Sequence, residues 1–271
     1  MLNLAGIAKS TFFYGLHHQD DQNKKDRPLE NIIQSIFDQH HKKYGYLRVM
    51  YQLKKMGYRI NKKKVYRLMK KLGLRAVPKQ RLYKSYRGTV GKIAPNVMNQ
   101  SFETTGPYQK LGTDITQFRT AYGKLYLSPV IDFHTREVLA YDLSTNPNLA
   151  QIERMLNRLV KDHGPSIRGS MLQSDQGYQY QVKFYHKYLQ NHGIIQSMSL
   201  KGNTLDNSPT ENFFGRLKTE MYYDREHEFK SLKELRESIH AYIRYYNQER
   251  IVNRLKTNPV AYRQKFLSNQ K

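Results

Sequence analysis

Apolar residues recur at helical spacing in three segments near the start of the chain. The first two are residues 29–43 and 44–57, and Gly57 provides a stop signal for the second. The third occupies residues 62–73 after Asn61, a good N-cap, and has apolar side chains at positions i, i+3, i+4 and i+7: Val65, Leu68, Met69 and Leu72. The pattern therefore predicts three short helices.

After residue 102 the pattern changes to an alternation of strands and helices. Three consecutive strand candidates, joined by short turns, predict an antiparallel meander at residues 109–120, 123–133 and 136–144. A helix, a strand, a helix, a strand and two helices follow, at residues 148–164, 170–175, 180–193, 194–199, 206–218 and 231–250. This order matches the mixed α/β sheet of the ribonuclease-H-like fold, although other α/β arrangements can give a similar order.

The stretch "DNSPTENFFGRLK", residues 206–218, has the signature of a helix start. Ser208 is a good N-cap, Pro209 suits the first helical position, and Glu211, three residues after the cap, completes a capping box. Taken alone, this pattern makes Glu211 a cap without chemistry. On a helical wheel, Glu211 and Lys218 lie beside an apolar face formed by Phe213, Phe214, Leu217 and Met221.

The formal net charge is +24, and most of it lies in the first hundred residues. Residues 1–100 hold 22 Lys and Arg against 5 Asp and Glu, whereas residues 101–271 hold 24 against 17. A charge of this size favours binding to a polyanion through counterion release. Nucleic acid is the first candidate, an anionic membrane surface is a distant second, and a basic protein without a polyanionic partner is the remaining alternative.

Charge and periodicity together predict three regions. Residues 1–76 form a basic, helix-turn-helix-like DNA-binding region, with a small basic bundle that contacts no DNA as the alternative. Its predicted DNA-binding side chains lie on the third helix: Lys62, Lys63, Lys64, Arg67, Lys70 and Lys71. Residues 77–102 form a basic linker that either follows a phosphate backbone, with Tyr83 and Tyr86 stacking on bases, or is a solvated tether. Residues 103–271 form the α/β core with C-terminal helices.

The composition excludes several kinds of site. The chain has no cysteine, which excludes disulfides and thiolate zinc sites. The pairs His17–His18 and His40–His41 lack HExxH spacing, so we expect surface histidines, and any catalytic metal to be a hard cation held by carboxylates. No apolar run is long enough to cross a membrane, and the N-terminus lacks the pattern of a signal peptide. We therefore expect a soluble cytoplasmic protein.

Three carboxylates stand where local structure alone does not account for them. Asp114 lies in the middle of the first predicted strand, where a charge costs free energy unless it is paired or bound to a cation. Asp175 ends the fourth predicted strand, and Glu211 follows after 35 intervening residues. In the ribonuclease-H-like arrangement the first and fourth strands are neighbours, so we expect the three carboxylates to converge. Two Mg²⁺ ions about 4 Å apart would relieve their repulsion.

At this point the motifs resemble those of a known family. "LGTDIT", "VIDFHTREVLAY", "SDQGYQY" and "SMSLKGNTLDNSPTENFFGRLKTE" are similar to the D,D(35)E catalytic core of bacterial insertion-sequence transposases related to retroviral integrases. Upstream, "YGYLRVMYQLKKMGYRINKKKVYRLMKKLGLRA" resembles their helix-turn-helix-like segment, and "YYNQERIVNRLKTNPVAYR" resembles their C-terminal end. Leu111 and Gln173 stand where that family often has Trp and His, but neither departure removes a metal ligand. Asp132 matches a common family residue, and we expect it to have a role in turn structure.

The resemblance implies a fold and an activity. The fold is an α/β, ribonuclease-H-like core of the retroviral integrase type, preceded by a small all-α helix-turn-helix-like domain. The activity is that of a DDE-type polynucleotidyl transferase, in which Asp114, Asp175 and Glu211 bind two Mg²⁺ ions per active site, with Mn²⁺ as a substitute. Water would cleave an element end, and the freed 3′-hydroxyl would then attack another DNA strand. Lys218 would hold a DNA phosphate or lie in solvent.

The resemblance also implies partners. These are the element ends, the target DNA, other copies of this chain on DNA, and a first-reading-frame segment supplied by frameshift fusion, in a bacterial nucleoid-associated protein. Two alternatives remain open. A ribonuclease-H-like nuclease or resolvase would release cleaved strands without joining them, and a non-catalytic DNA-binding regulator would use the carboxylates structurally.

Overall fold

The computed structural model describes residues 8–76, 93–99, 101–200 and 207–269, without the side chains of residues 11–24. The chain divides into two units, Met1–Val77 and Pro78–Lys271, and each is described by itself. Most of the predicted linker, including Tyr83 and Tyr86, lies outside the described residues. So do residues 201–206 of the last core motif and the side chains of His17 and His18.

The first unit contains three helices, α1 Lys9–Gln39, α2 Tyr46–Lys55 and α3 Lys62–Lys71. The prediction of a short first helix at residues 29–43 is wrong in extent, because α1 has 31 residues and continues through Pro28. Its N-terminal half is dense in His, Asp, Gln and Lys and therefore shows no regular apolar stripe. Proline, which lacks a backbone N–H, further disguises the helix in the sequence.

The predictions for α2 and α3 are confirmed. α2 ends before Gly57, which has a φ of 92°, a left-handed conformation that glycine adopts without strain. The side chain of Asn61 caps α3 by accepting a hydrogen bond from the Lys63 N–H at 2.9 Å. The core of this unit is apolar: Ile33, Ile36, Phe37, Val49, Leu53, Val65 and Leu68.

One expectation for the first unit fails. His40 is buried rather than on the surface, and its ring stacks on Tyr44 with 3.8 Å between the ring centroids. Burial lowers the pKa of His40 to about 4, with smaller contributions from His41 and Arg48. His41 is exposed, as expected.

The second unit is built on a six-stranded sheet. Its strands are β1 Lys110–Thr113, β2 Thr116–Thr120, β3 Gly123–Asp132, β4 Val138–Ser144, β5 Met171–Ser174 and β6 Ile195–Met198. β3 pairs antiparallel with β1 and β2 on one edge and with β4 on the other. β5 runs parallel to β1, and β6 runs parallel to β5. The predicted meander and the mixed sheet are confirmed.

The first predicted strand, residues 109–120, is interrupted. β1 and β2 keep one register against β3, since Thr113 lies opposite Val130 and Thr116 lies opposite Leu127. The break falls at Asp114, whose side chain accepts a hydrogen bond from the Ile115 N–H at 2.7 Å. This bond occupies an N–H that would otherwise be available to the ladder. Asp114 therefore follows the end of β1 and does not lie in the middle of a strand, as the sequence pattern predicts.

Helices cover both faces of the sheet. They are α4 Leu149–His163, α5 Tyr178–Gln181, α6 Lys183–Asn191, α7 Ser208–Met221, α8 Leu232–Gln248 and α9 Pro259–Ser268. The predicted helix at residues 180–193 is wrong in being continuous, because Val182 has extended backbone angles and separates α5 from α6. Within the described residues, we find no helix with the length and hydrophobicity to cross a membrane.

Two apolar clusters lie on opposite sides of the sheet. One joins the sheet to α7 and α8 and includes Phe118, Leu127, Ile131, Phe213, Leu217, Ile239 and Tyr246. The other joins it to α4, α5 and α6 and includes Leu111, Val130, Leu156, Leu172, Tyr180, Tyr185 and Leu189. Ile131 and Val130 belong to different clusters because neighbouring side chains of a strand point to opposite faces. α7 is thereby fixed on one face of the sheet.

Candidate active site

The parallel pairing of β1 with β5 aligns two aspartates. Leu111 lies opposite Leu172 and Gly112 opposite Gln173. If this register is continued for two residues, Asp114 lies opposite Asp175. The two residues then follow the ends of adjacent strands that are about 4.8 Å apart. The predicted neighbourhood of the first and fourth strands is confirmed, and the sheet edge carries a carboxylate on each of the two strands.

Each aspartate side chain accepts a hydrogen bond from a backbone N–H that is close to it in the sequence. One carboxylate oxygen of Asp114 accepts from the Ile115 N–H, and one of Asp175 accepts from the Gly177 N–H at 2.9 Å. Both side chains are partly buried. Neither forms a salt bridge with any residue that the structure describes.

Burial and mutual repulsion disfavour the charged forms of these acids. Burial raises the pKa of Asp114 well above its usual range, the neighbouring charge of Asp175 raises it further, and Glu211 adds a smaller contribution. Burial also raises the pKa of Asp175, and partial desolvation raises the pKa of Glu211. A cation at this edge would remove the repulsion, as expected for carboxylates that bind metal.

Close packing brings the start of α7 onto β1. A Cβ on Gly112 would overlap the ring of Phe133 and lie 2.6 Å from the Thr210 hydroxyl oxygen. The side-chain amide of Asn207 donates to the Thr113 carbonyl at 3.3 Å. These contacts lie within two residues of Asp114 and fix the helix turn that carries Glu211. The prediction did not identify them, although a glycine inside a strand indicates a close approach.

The predicted capping box is wrong in register. α7 begins at Ser208, so Asn207 is the N-cap, and its side chain makes no cap hydrogen bond. The backbone carbonyl of Ser208 accepts from the Asn212 side chain at 2.8 Å. Glu211 is exposed on the first turn. The negative charge still lies at the positive end of the helix dipole, where it is favoured.

Lys218 is buried, so the alternative that it lies in solvent is wrong. Its ammonium nitrogen lies 5.3 Å from the centre of the Phe118 ring. Burial lowers the pKa of Lys218 to about 8, although the charge of Asp114 favours the protonated form. The side chain therefore contributes positive charge that acts on Asp114, from the same helix as Glu211.

The carboxylates are not yet arranged as a closed metal site. Among the described residues, no three His, Asp or Glu side chains lie close enough together to hold a metal ion. Their chemistry nevertheless fits a hard cation, since all the candidate donors are carboxylate oxygens and two of them are desolvated neighbours. Binding by all three requires them to come closer together than they are here.

Asp132 has the turn role that the sequence predicts. Its carboxylate accepts from the N–H groups of Tyr108, His134 and Thr135 at 2.5, 2.7 and 2.8 Å. All these donors belong to the backbone, so the side chain organises the chain around the end of β3. The side chain of Asp132 is buried at this turn.

In the first unit, the six predicted DNA-binding side chains of α3 are all exposed, but they divide into two groups. Lys64 and Arg67 contact Asp26 at 2.8 and 2.6 Å, and Lys71 contacts Glu30 at 2.8 Å. Both acids belong to α1. The remaining three, Lys62, Lys63 and Lys70, form no ion pair with a described residue.

The unpaired lysines share one face of α3. On a helical wheel, Lys62, Lys63 and Lys70 fall on the same side as Tyr66. Tyr66 is 55% exposed and packs edge-to-face on Tyr46, with 5.3 Å between the ring centroids. This face combines positive charge with exposed aromatic rings.

Comparison with known families covers both units. Residues 24–81 match the model of an HTH-like domain, and residues 104–204 and 211–267 match two models of an integrase core domain. The putative transposase InsK of insertion element IS150 from Escherichia coli is 43% identical over 97% of this chain and 92% of its own length. The transposase of element IS904 from Lactococcus lactis is 32% identical over 87% and 93%.

One solved structure agrees with this chain at the level of the fold. The simian T-cell lymphotropic virus intasome in complex with PP2A regulatory subunit B56 gamma gives a TM-score of 0.51 at 12% identity, over 84% of this chain and 73% of the other. The HTLV-2 integrase catalytic core in complex with magnesium gives 0.48 at 13% identity, over 59% and 99%, which is too distant to guide an argument about this chain.

The match to curated relatives extends over nearly the whole chain, and the order of the matched domains is the order seen in the structure. The transposase InsF of element IS3A from Escherichia coli is also 32% identical, over 79% of this chain and 74% of its own length. Membership of this transposase family gives the chain its activity class, that of a DNA-acting polynucleotidyl transferase. The chain belongs to the insertion-sequence transposases with an integrase core, of the second-reading-frame type found in the IS3 family.

Proposed function

We propose that Asp114, Asp175 and Glu211 form the metal-binding catalytic triad of this transposase. The observation that carries the proposal is the register of β1 against β5, which makes Asp114 and Asp175 neighbours at one sheet edge. α7 is packed on β1 through Gly112 and brings Glu211 to the same edge.

The proposed cofactor is a pair of Mg²⁺ ions, for which Mn²⁺ can substitute, because carboxylate oxygens suit hard divalent cations. When bound, the ions would polarise the attacking oxygen and stabilise the leaving oxygen of a phosphodiester. The residues of this chain orient the two aspartates through the Ile115 and Gly177 N–H groups and hold α7 against β1. Lys218 supplies positive charge that favours the ionised form of Asp114.

The proposed reaction has two steps. Water attacks a phosphodiester at the element end, which breaks the bond from phosphorus to the 3′-oxygen and leaves a free 3′-hydroxyl. That hydroxyl then attacks a phosphodiester of another strand. A new bond forms from its oxygen to phosphorus, the bond from this phosphorus to the 3′-oxygen of the attacked strand breaks, and that oxygen leaves as a new 3′-hydroxyl. Preorganised charge at the point of attack is the main source of rate in such transfers.

We further propose that the unpaired face of α3 contacts DNA. Lys62, Lys63 and Lys70 are exposed and unpaired among the described residues, so they are available to phosphates. Lys64, Arg67 and Lys71 instead neutralise the acids of α1. Assembly of several copies on DNA and fusion to a first-frame segment complete the proposal.

The test uses Asp114→Asn, Asp175→Asn and Glu211→Gln. We expect each variant to lose both cleavage and joining of labelled element-end DNA while it still binds that DNA. Asp162→Asn provides a matched control, because Asp162 is an acid of α4 that belongs to neither the site nor an ion pair of the described residues. Retention of joining by all three variants would overturn the proposal.

Two further measurements separate the alternatives. Cleaved strands without joined product would favour a nuclease, provided that a fusion with the first-frame segment behaves in the same way. Mg²⁺ should raise the thermal stability of the parent protein but not of Asp114→Asn. Equal stabilisation of both would instead support a regulator whose carboxylates are structural.

A further inference from the structure

Three arginines from separate segments lie close enough to interact electrostatically near the C-terminal end of α8. Arg136 lies in the turn between β3 and β4, Arg216 lies on α7, and Arg254 lies in the loop between α8 and α9. We call these three residues the arginine cluster. None of them belongs to the carboxylate site or to α3.

Contacts with the last turns of α8 hold the three segments in place. The Asn247 side chain bonds both backbone groups of Val138, at 3.0 and 2.9 Å, and so fixes the turn that carries Arg136. Tyr246 packs edge-to-face on Phe213 of α7, with 4.9 Å between the ring centroids. The loop that carries Arg254 follows α8 directly and is closed by a backbone bridge between residues 252 and 257.

The cluster holds three positive charges close together, with Asp132 as the nearby acid. Burial lowers the pKa of Arg136, and the charges of Arg254 and Arg216 lower it further. Within the described residues, none of the three guanidinium groups forms an ion pair or a side-chain hydrogen bond. Other arginines do have acidic partners: Arg67, Arg154, Arg158, Arg225, Arg250 and Arg263. Asp132 offsets part of this repulsion, because its charge raises the pKa of Arg136, but one carboxylate does not balance three guanidinium charges.

The backbone at Arg136 is strained, and the cluster is open to solvent. The φ of Arg136 is 62°, a left-handed conformation in which glycine or asparagine is usual. Arg136 and Arg216 are partly exposed and Arg254 is exposed, so solvent and ligands can reach the cluster.

We propose that the arginine cluster is a second DNA contact of this protein, a site on the catalytic unit that binds phosphates of the DNA backbone. Guanidinium groups match phosphate oxygens with paired hydrogen bonds, and an anion would remove the repulsion among the three charges. Arg216 lies five residues after Glu211, about 7.5 Å further along the axis of α7. The inference rests on the proposed function, since it assumes that DNA reaches the site served by α7.

The test measures DNA affinity by fluorescence anisotropy over a series of salt concentrations, in EDTA so that no metal-dependent step contributes. It compares the full-length parent with Arg136→Gly and with the double variant Arg216→Gln/Arg254→Gln, on element-end DNA and on a duplex of unrelated sequence. We expect the slope of log affinity against log salt to become shallower by about 0.9 for each DNA phosphate that a variant no longer neutralises. Arg225→Gln is the matched control, because Arg225 is exposed but paired with Glu228 at 2.7 Å.

The outcomes separate binding from folding. Arg136→Gly relieves the left-handed strain, so we expect it to bind DNA more weakly without a lower melting temperature. An altered slope on element-end DNA alone would assign the phosphates to the donor, and an altered slope on both duplexes would assign them to DNA of any sequence. Unchanged slopes, or equal changes in Arg225→Gln, would overturn the inference. Because no catalysis is measured, such a failure would leave the test of the carboxylates unaffected.

Discussion

The glutamates at the two ends of α7 differ in whether they have partners. Glu211, in the first turn, is exposed and forms no ion pair or hydrogen bond with a described residue. Glu220, near the other end, accepts two hydrogen bonds from Arg250, at 2.5 and 2.8 Å, and one from Tyr242 at 2.9 Å. Arg250 is completely buried. One end of the helix is held by a neutralised charge, and the other presents a charge that the fold leaves unpaired.

This division recurs elsewhere in both units. Asp142 is paired with Arg154 and Arg158, whereas Asp114 and Asp175 lie together without an ion pair among the described residues. On α3 some basic side chains hold acids of α1, and others face outward without an ion partner in the described part of the chain. Paired charges stabilise the architecture, and unpaired charges that are desolvated, as at Asp114 and Asp175, are costly and indicate where ligands bind.

The largest expected effect separates the two glutamates of α7. We expect Glu211→Gln to lower the joining rate by about a thousandfold, roughly 4 kcal/mol, because a proposed metal ligand is lost. Its free energy of unfolding should barely change. Glu220→Gln should instead cost about 3–5 kcal/mol of stability, because Arg250 would remain buried without its counter-charge. Urea unfolding and a strand-transfer assay on both variants measure the two effects.

The reverse result would contradict the proposed difference between Glu211 and Glu220. If Glu211→Gln unfolds at lower urea while Glu220→Gln does not, the exposed carboxylate supports the fold and the buried pair does not. A strand-transfer rate for Glu211→Gln equal to that of the parent would also remove Glu211 from the catalytic triad.

The sequence predicted those features that depend on local periodicity. The order of strands and helices and the N-cap Asn61 follow from spacing. The neighbourhood of Asp114 and Asp175 follows from the ribonuclease-H-like arrangement that this order matches. The length of α1 did not, since its N-terminal half carries no apolar stripe. The interruption at Asp114 depends on one side-chain hydrogen bond to the next N–H, which no periodicity records.

Ion pairs between distant parts of the chain could not be predicted from the sequence either. Asp26 and Arg67 are 41 positions apart, as are Glu30 and Lys71, and only the packing of α1 on α3 brings them together. The sequence alone therefore indicated six equivalent basic residues on α3. The burial of His40 against Tyr44 was likewise hidden, because a histidine beside charged residues is usually exposed.

The next effect concerns the N-terminal end of α7, which is held by packing against β1 and not by an ion pair. In Gly112→Ala the new Cβ would overlap Phe133 and crowd Thr210, so either the ring or the helix must shift. We expect a loss of about 1–3 kcal/mol in stability together with slower joining. Gly215→Ala is the control, since a Cβ there meets nothing within 4 Å. Normal joining by Gly112→Ala would show that this contact does not position Glu211.

A smaller effect tests a paired acid in the first unit. Burial opposes ionisation of Asp26, but hydrogen bonds from Lys64 and Arg67 outweigh it and lower the pKa of Asp26. A lowered folded-state pKa means that the stabilisation is complete above the unfolded pKa of about 3.9 and is lost as the pH falls through the folded value. We expect Asp26→Asn to cost about 1–2 kcal/mol at pH 7, because both partners are half exposed.

Unfolding of the parent and of Asp26→Asn should be followed from pH 7 down to acid conditions. The two curves should converge as Asp26 becomes protonated in the folded parent. A constant difference over the whole range would mean that the variant loses packing and not an ion pair.

The smallest effect compares two neighbouring lysines of α3. Lys70 faces outward without an ion partner among the described residues, whereas Lys71 holds Glu30 at 2.8 Å. Lys70→Gln should make the salt dependence of DNA binding shallower by about 0.9, and Lys71→Gln should leave it unchanged while costing up to about 1 kcal/mol of stability. The two variants are controls for each other, because each removes one positive charge and the two positions are adjacent. Equal slopes would mean that only total charge matters, and the paired and unpaired faces of α3 would then not differ in function.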